Sequence, residues 1–468
     1  MTEERNDWME TKEEETLTAE KVLELLQSKQ YPALRQNIAA LPAADIGVLF
    51  SETPMEYHRV FYRLLPKEYA AEIFVEMDNE AQESLISSFS DGELKEMLDE
   101  LFYDDTVDII EEMPAGVVAR ILKNCTPQAR REINQLLRYP GDSAGSIMTT
   151  EVVALRRNMT VDQAFRIIRQ VAIDKETIYT CYVTDEARHL IGVVSAKTLL
   201  ISPLDAVLGD IMDDRVIFVD TLTDREEAAR KLHKYDLLAL PVVDTEERLI
   251  GIITIDDAID VISEEQEADF SMMAAITPDE TPYTKSSVFS IWKSRIPWLL
   301  ILTLTATFTG MIISGFESAL AVCVALTAFI PMLMGTGGNA GSQASTTVIR
   351  GLSLGEIETA DVLRVLWKEL RVSLLCAVSL AAVTFGKVLL IDRLLLNNSD
   401  VTLAVAAVVA ITLAITVVCA KLLGCSLPIL AKKVGLDPAV MANPFITTVV
   451  DTVSLLLYFL IAKSLLGI

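Results

Sequence analysis

Apolar residues change their pattern twice along the chain, and each pattern predicts a different kind of element. Between 17 and 139 they form short one-sided stretches with a weak period of about 24 residues. Leu41-Pro42, Leu65-Pro66, Ser90-Asp91 and Met113-Pro114 each precede one such stretch: AADIGVLF, KEYAAEIF, GELKEML and AGVVARIL. Proline or an acidic cap at a helix start, followed by one apolar stripe, describes short helices stacked as a solenoid. An all-α superhelical domain is expected over 1–140, and the linker RYPGDSAGS at 138–146 ends it.

From 141 the sequence contains a duplication. Ser146-Ile147-Met148 recurs as Asp210-Ile211-Met212, VDQAFRIIRQV as DREEAARKLHKY, and HLIGVVSAKTLL as RLIGIITIDDAI. Each copy reads as strand, helix, two strands joined by a turn, and helix. Order and spacing, with the motifs LPVVD and GIITIDD, resemble a tandem pair of CBS domains over 141–206 and 207–268. The resemblance implies an α+β regulatory pair that dimerises. In nucleotide-binding members of that family, a G-x-x-[ST]-x-x-D element meets the phosphates and ribose. It stands here as Gly251, Thr254 and Asp257, whereas the first copy has Gly192, Ser195 and then Thr198 in place of the acid. At most one nucleotide site per pair, for ATP, is expected. The alternative makes Asp257 a cap on the last helix.

The third pattern is a set of apolar segments at about 296–316, 319–343, 370–391, 401–424 and 442–465. Each can span ~30 Å at 1.5 Å per residue, so an all-α domain of five membrane helices is expected over 294–468. Lys285, Lys293 and Arg295 precede the first segment; Arg350, Arg364, Lys368 and Arg371 separate the second from the third; Lys432 and Lys433 separate the fourth from the fifth. The opposite connections hold only Arg393 and, at the end, Lys463. The positive-inside rule then puts the N-terminus in the cytoplasm and the C-terminus outside. MTEERNDWMETKEEE lacks an apolar h-region, so no signal peptide is expected and the chain reads as a multi-pass protein of the cytoplasmic membrane.

Asp451 lies near the middle of the last apolar segment. A charge there costs ~3 kcal/mol on insertion scales, which marks it as a functional candidate facing a cavity or pathway. Steps of four residues join Asn443, Thr447 and Asp451 on one helical face. Carboxylate, amide and hydroxyl oxygens without imidazole or thiolate suit a hard, hydrated cation, Mg²⁺ before Ca²⁺. Lys387 is the basic group expected to pair with Asp451 if that carboxylate is merely structural. No second carboxylate of comparable depth is evident, which argues against a membrane-embedded acid protease. In the second segment Pro331, Gly335, Gly337, Gly338 and Gly341 predict an interrupted helix, and Asn339, Ser342 and Gln343 a pore lining; close helix packing is the other reading of the glycines. Pro428 is expected in the loop after the fourth segment.

Charge divides unevenly. Residues 285–468 carry a net +4 and residues 1–284 a net −30, so the soluble part repels nucleic acid and attracts cations. Six cysteines form no CxxC pair and three histidines are scattered, so neither a zinc site nor a disulfide framework follows. The run IDDAIDVISEEQEADF places Asp257, Asp260 and Glu264 on one helical face just before the membrane.

Taken together, these segments resemble magnesium transporters of the MgtE type over nearly the whole chain. GFES at 315–318, PMLMGTGGNAGSQ at 331–343 and DPAVMANPFITTVVD at 437–451 carry the resemblance. It implies a homodimer in the bilayer with Asp451 on a shared pore, assisted by Asn443 and Thr447, with Asn339, Gln343, Gly338 and Glu317 as further pore candidates. It implies Mg²⁺ as cargo, with Co²⁺ or Mn²⁺ as competitors, and no enzymatic activity. Cytosolic Mg²⁺ would bind between acidic faces and close the pore through a connecting, or plug, helix at 269–293. Asp257, Asp260, Glu264, Glu265, Asp269, Asp91 and Glu93 are the sensor candidates. A CBS-regulated secondary transporter of another divalent cation or a small solute is the alternative.

Overall fold

The computed structural model describes residues 17–466 apart from 173–174, 279–282, 285, 399 and 442. The chain divides into two compact units, Met1–Ile262 and Ser263–Ile468.

In the first unit the expected proline and cap positions start helices at Ala43–Glu52, Asp91–Leu98 and Ala115–Asn124. Pro42 and Pro114 occupy N-cap positions, and Ser90 forms a reciprocal capping box with Glu93. Pro66 instead starts a short 3₁₀ turn that leads into Ala70–Val75. The apolar stripes meet inside, where Phe50 stacks on Phe61 at 4.2 Å and Phe74, Leu85 and Leu94 are fully buried. Between the repeats lies a helix at Tyr103–Glu112 (α1). The array shares its core with the second CBS copy, whose Ala228, Leu232, Leu240 and Val261 belong to the same apolar cluster.

Each CBS copy is a three-stranded sheet. The first comprises β1 (Ala154–Arg156), β2 (Thr180–Thr184) and β3 (Leu190–Ser195); the second comprises β4 (Val219–Asp220), β5 (Ala239–Val243) and β6 (Leu249–Thr254). In both, a parallel pair is followed by an antiparallel one. Val183 faces Gly192 and Val242 faces Gly251, so the duplication extends to strand register. The repeated Ile-Met segments cross the opposite copy's sheet. A Cβ on Gly251 would lie 2.3 Å from the Thr149 carbonyl oxygen, and one on Gly192 2.5 Å from the Met212 sulfur. Close approach therefore requires both glycines. The last helix, Ile255–Met273 (α2), ends before Ala275, which has a φ of 53°. The expected single helix over 269–293 is thus divided, because the next helix starts only at Val288.

The second unit holds Val288–Gly315 (α3), Ile330–Ser353 (α4), Val362–Lys387 (α5), Leu403–Lys433 (α6) and Asn443–Leu466 (α7). Among the described residues, four helical segments are long and apolar enough to cross a membrane: those containing α3, α5, α6 and α7. The expected segment 319–343 differs. Residues 317–329 form a short helix and a 3₁₀ turn, and α4 then runs unbroken through the glycines. The glycines serve packing instead: a Cβ on Gly337 would meet Thr416 at 2.8 Å, one on Gly341 would meet Ile446 at 2.8 Å, and one on Gly424 would meet the Gly341 carbonyl at 2.2 Å. Small residues let α4, α6 and α7 approach closely where apolar burial gives little driving force. Pro428 lies inside α6, not in a loop.

Two lysines in this unit are matched by carboxylates of their own. Lys387 bonds Asp392 at 2.8 Å, so it is not the partner of Asp451. Lys421 on α6 bonds Glu369 on α5 at 3.0 Å, with side-chain exposures of 8% and 18%. Glu369 is thus a half-buried carboxylate just outside the expected third segment. Lys421→Met would leave Glu369 half-buried without a partner, so thermal unfolding of the detergent-solubilised protein should show a loss of about 3–5 kcal/mol. The double variant Lys421→Met/Glu369→Leu should recover most of it.

Candidate functional sites

Asp451 sits eight residues into α7, ~12 Å along the helix from Asn443. It is half-buried and has neither an ion-pair nor a hydrogen-bond partner among the described residues. Thr447, one turn earlier on the same face, donates its hydroxyl to the Pro444 carbonyl at 2.9 Å. Gly338 of α4 lies against Thr447, so α4 and α7 form a joint surface. Beside it Asn339, Ser342, Gln343, Thr346 and Thr347 line an open cavity of 530 Å³. Ser342 Oγ is buried there without a hydrogen-bond partner. The side chain of Asn443 lies outside the described residues, and Glu317 is exposed at the start of the short helix after α3.

The first unit contains a carboxylate cluster. Asp104, Asp105 and Asp108 of α1 share an electrostatic environment with Asp257 of α2. Glu176 joins them, acting on Asp104 and in turn affected by Asp105, Asp256 and Glu151. Burial, reinforced by the neighbouring negative charges, pushes Asp105 and Asp108 up to about 7 and Glu176 to about 8. Burial pushes Asp257 to about 6, against a hydrogen bond from Thr254 that lowers it. Asp104 is raised well above the carboxylate range, and its Oδ1 is buried with no hydrogen-bond partner. Glu151 accepts the backbone N–H of Tyr103, which docks the α1 N-terminus. Both residues also wall a neighbouring cavity of 850 Å³. Among the described residues, no three potential ligands converge as a ready coordination shell.

The expected sensor residues separate into groups. Asp257 is in the cluster, and Asp260 is near enough for Asp256 to add to the upward shift caused by burial. Glu264 is exposed and Glu265 half-buried on the following turn. Asp269 accepts a hydrogen bond from Ser353 at 2.8 Å, near the charge of Asp437. Glu93 is bound by Arg59 and Arg63; the Ser90 backbone bond, then Arg63, hold it down at about 2. Asp91 lies by Arg120 and Lys123. Their charges are already balanced. In the nucleotide motif, Thr254 donates to Asp257, while the corresponding Ser195 and Thr198 bond each other at 2.9 Å.

The comparisons with known proteins cover the same regions. A divalent cation transporter family matches 330–461, the MgtE intracellular N domain 41–142, and the CBS domain 144–204 and 208–264. The magnesium transporter MgtE of Thermus thermophilus is 37% identical over 447 residues, which cover 95% of this chain and 97% of that protein. The chain belongs to the MgtE family of magnesium transporters. MgtE of Bacillus subtilis is 32% identical over 451 residues, covering 95% and 96%. A crystal structure of the cytosolic domain of the Mg²⁺ channel MgtE in complex with ATP is similar at 38% identity; it covers 52% of this chain and 99% of that one, with a TM-score of 0.49.

The raised carboxyls give this MgtE family member a testable pH dependence. Their folded-state pKa values exceed the ordinary value near 4, so the folded first unit holds more protons than the unfolded chain between about pH 4 and 8. Without divalent cations, its melting temperature should fall as pH rises from about 5 to 8. Added Mg²⁺ should reduce that fall. A melting temperature that is flat or rises over this range would contradict the cluster.

Proposed function

We propose that two copies of the chain close a pore around the Asp451 face, and that the carboxylate cluster reports internal Mg²⁺ to that pore. The unpaired state of Asp451 supports this reading. Lys387 and Lys421 each hold a carboxylate elsewhere, whereas Asp451 has no ion-pair partner among the described residues, and α4, which meets α7 at Gly338 and Thr447, carries a polar groove from Asn339 to Thr347. In one protomer that groove is open; a second copy related by a two-fold axis would enclose it and bring two carboxylates together. Oxygen ligands in such a passage favour hydrated Mg²⁺, with Co²⁺ and Mn²⁺ competing for the same groups. The basic residues flanking the apolar segments support a first unit in the cytoplasm by the positive-inside rule, and in this reading α4 joins the four long apolar helices in the membrane. An inside-negative potential then contributes ~4.6 kcal/mol per divalent ion per 100 mV toward uptake.

In the cytoplasmic unit, Mg²⁺ would relieve repulsion among Asp104, Asp105, Asp108, Glu176 and Asp257 and favour the compact arrangement. α2 carries Asp257 near one end and Asp269 near the other, which makes it the connector toward the membrane helices. Glu93 and Asp91 have no place in this sensor, because arginines and a lysine balance them. ATP remains a regulatory expectation, with Thr254 and Asp257 as its contacts.

Asp451→Asn keeps size and removes charge, so Mg²⁺ flux into proteoliposomes should fall by about tenfold or more while the protein stays folded. Flux at the unsubstituted level would exclude Asp451 from the pore. Asp105→Asn/Asp108→Asn should conduct normally but need more internal Mg²⁺ to close. An unchanged dose dependence would remove the cluster from the sensor.

A further inference from the structure

Helices α3 and α7 enclose an open cavity of 540 Å³ that the proposed pore does not use. Its α7 wall includes Val449 and Val453, each about 160° round the helix from Asp451. Pro444 and Thr448 of the same wall lie about 20° and 60° from Asp451, so the cavity runs along the flank of the pore helix; its freedom from a second copy rests on the proposed dimer. The three threonines in the wall present methyl groups, because their hydroxyls are turned to their own helices. Thr305 donates to the Leu302 carbonyl at 2.9 Å, Thr448 to Pro444 at 3.0 Å and Thr452 to Thr448 at 3.0 Å. A pocket so poor in free polar groups holds hydrocarbon better than water.

The neighbouring charge identifies the rest of the occupant. Lys293 and Arg295 precede Trp298 of the cavity wall by less than two turns, are exposed, and have no ion-pair partner among the described residues. From Trp298 to Ile312 the wall extends ~21 Å along α3, more than the depth of one leaflet in a ~30 Å hydrocarbon core and long enough for an acyl chain. α3 has no buried residue among its 28, which leaves the groove open to the bilayer. We propose that an anionic phospholipid occupies this groove, with one acyl chain between α3 and α7 and its phosphate at Arg295, about 60° round α3 from Trp298, while Lys293 adds to the local positive potential. The lipid acts as a wedge, holding α3 against the flank of the pore helix.

The test uses the full-length protein with Trp8, Trp292 and Trp367 replaced by Phe, so that Trp298 alone reports. The protein is placed in phosphatidylcholine nanodiscs containing the same small fraction of either brominated phosphatidylglycerol or brominated phosphatidylcholine. Quenching of Trp298 should show a preference of about tenfold or more for phosphatidylglycerol, since two basic groups each favour an anionic headgroup. Lys293→Gln/Arg295→Gln touches only exposed side chains and should make the two lipids equal. Thr305→Phe, which fills the groove, should reduce phosphatidylglycerol quenching to the phosphatidylcholine level. Equal quenching by both lipids in the parent, or a preference that survives the charge substitutions, would overturn the proposal. So would absence of quenching together with disulfide formation between protomers at Thr305→Cys, which would give the groove to a second copy.

Discussion

A carboxylate taken out of water needs a positive charge or a proton beside it, and this requirement organises both units. Where the fold supplies the partner, the carboxylate is scaffold: Lys421 holds Glu369, Lys387 holds Asp392, and Arg59 with Arg63 holds Glu93. Asp451 has no such partner among the described residues, and in the α1–α2 cluster each carboxylate faces others. In the proposed function a mobile cation satisfies both places. Cargo and effector can therefore be the same ion, bound weakly enough to leave because its ligands are shared with water.

The close packing of α4, α6 and α7 makes that chemistry usable. Gly337, Gly341 and Gly424 remove the side chains that would hold these helices apart. The polar face of α4 and the Thr447–Asp451 face of α7 can then form one wall. Unbroken helices satisfy their own backbone groups, so the polar side chains remain available to the passage. The Lys421–Glu369 pair pins α5 to α6 one turn before Gly424, where the approach is tightest.

Local features of the sequence were legible where they depend on local physics. Pro42, Pro66 and Pro114 marked the array, and the CBS duplication extended to strand register. The glycines of α4 leave both an interrupted helix and close packing open, because composition alone does not distinguish the two; the neighbours Thr416, Ile446 and Ala420 decide for packing. Asp451 stood out because it is an isolated charge in an apolar run. The acidic run of α2 is visible in the sequence, whereas the buried carboxylates of α1 are not, although Asp104 and Asp108 are one turn apart in YDDTVDIIEE. Their partners Glu151, Glu176 and Asp257 come from distant segments, so only the fold brings the charges together. The Lys421–Glu369 pair, 52 residues apart, left no local signal either.

Proton release on Mg²⁺ binding tests the central claim most directly. Carboxyls raised to about 7 and 8 are partly protonated at neutral pH, so an ion that binds their charged forms must displace protons. Calorimetric titration of residues 1–262 with Mg²⁺ at pH ~7, in two buffers of different ionisation enthalpy, counts those protons. Release of a substantial fraction of a proton per ion, disappearing above pH ~9 and in Asp105→Asn/Asp108→Asn, is the predicted result. Mg²⁺ binding with no proton release at pH ~7, or release unchanged in that variant, would contradict it.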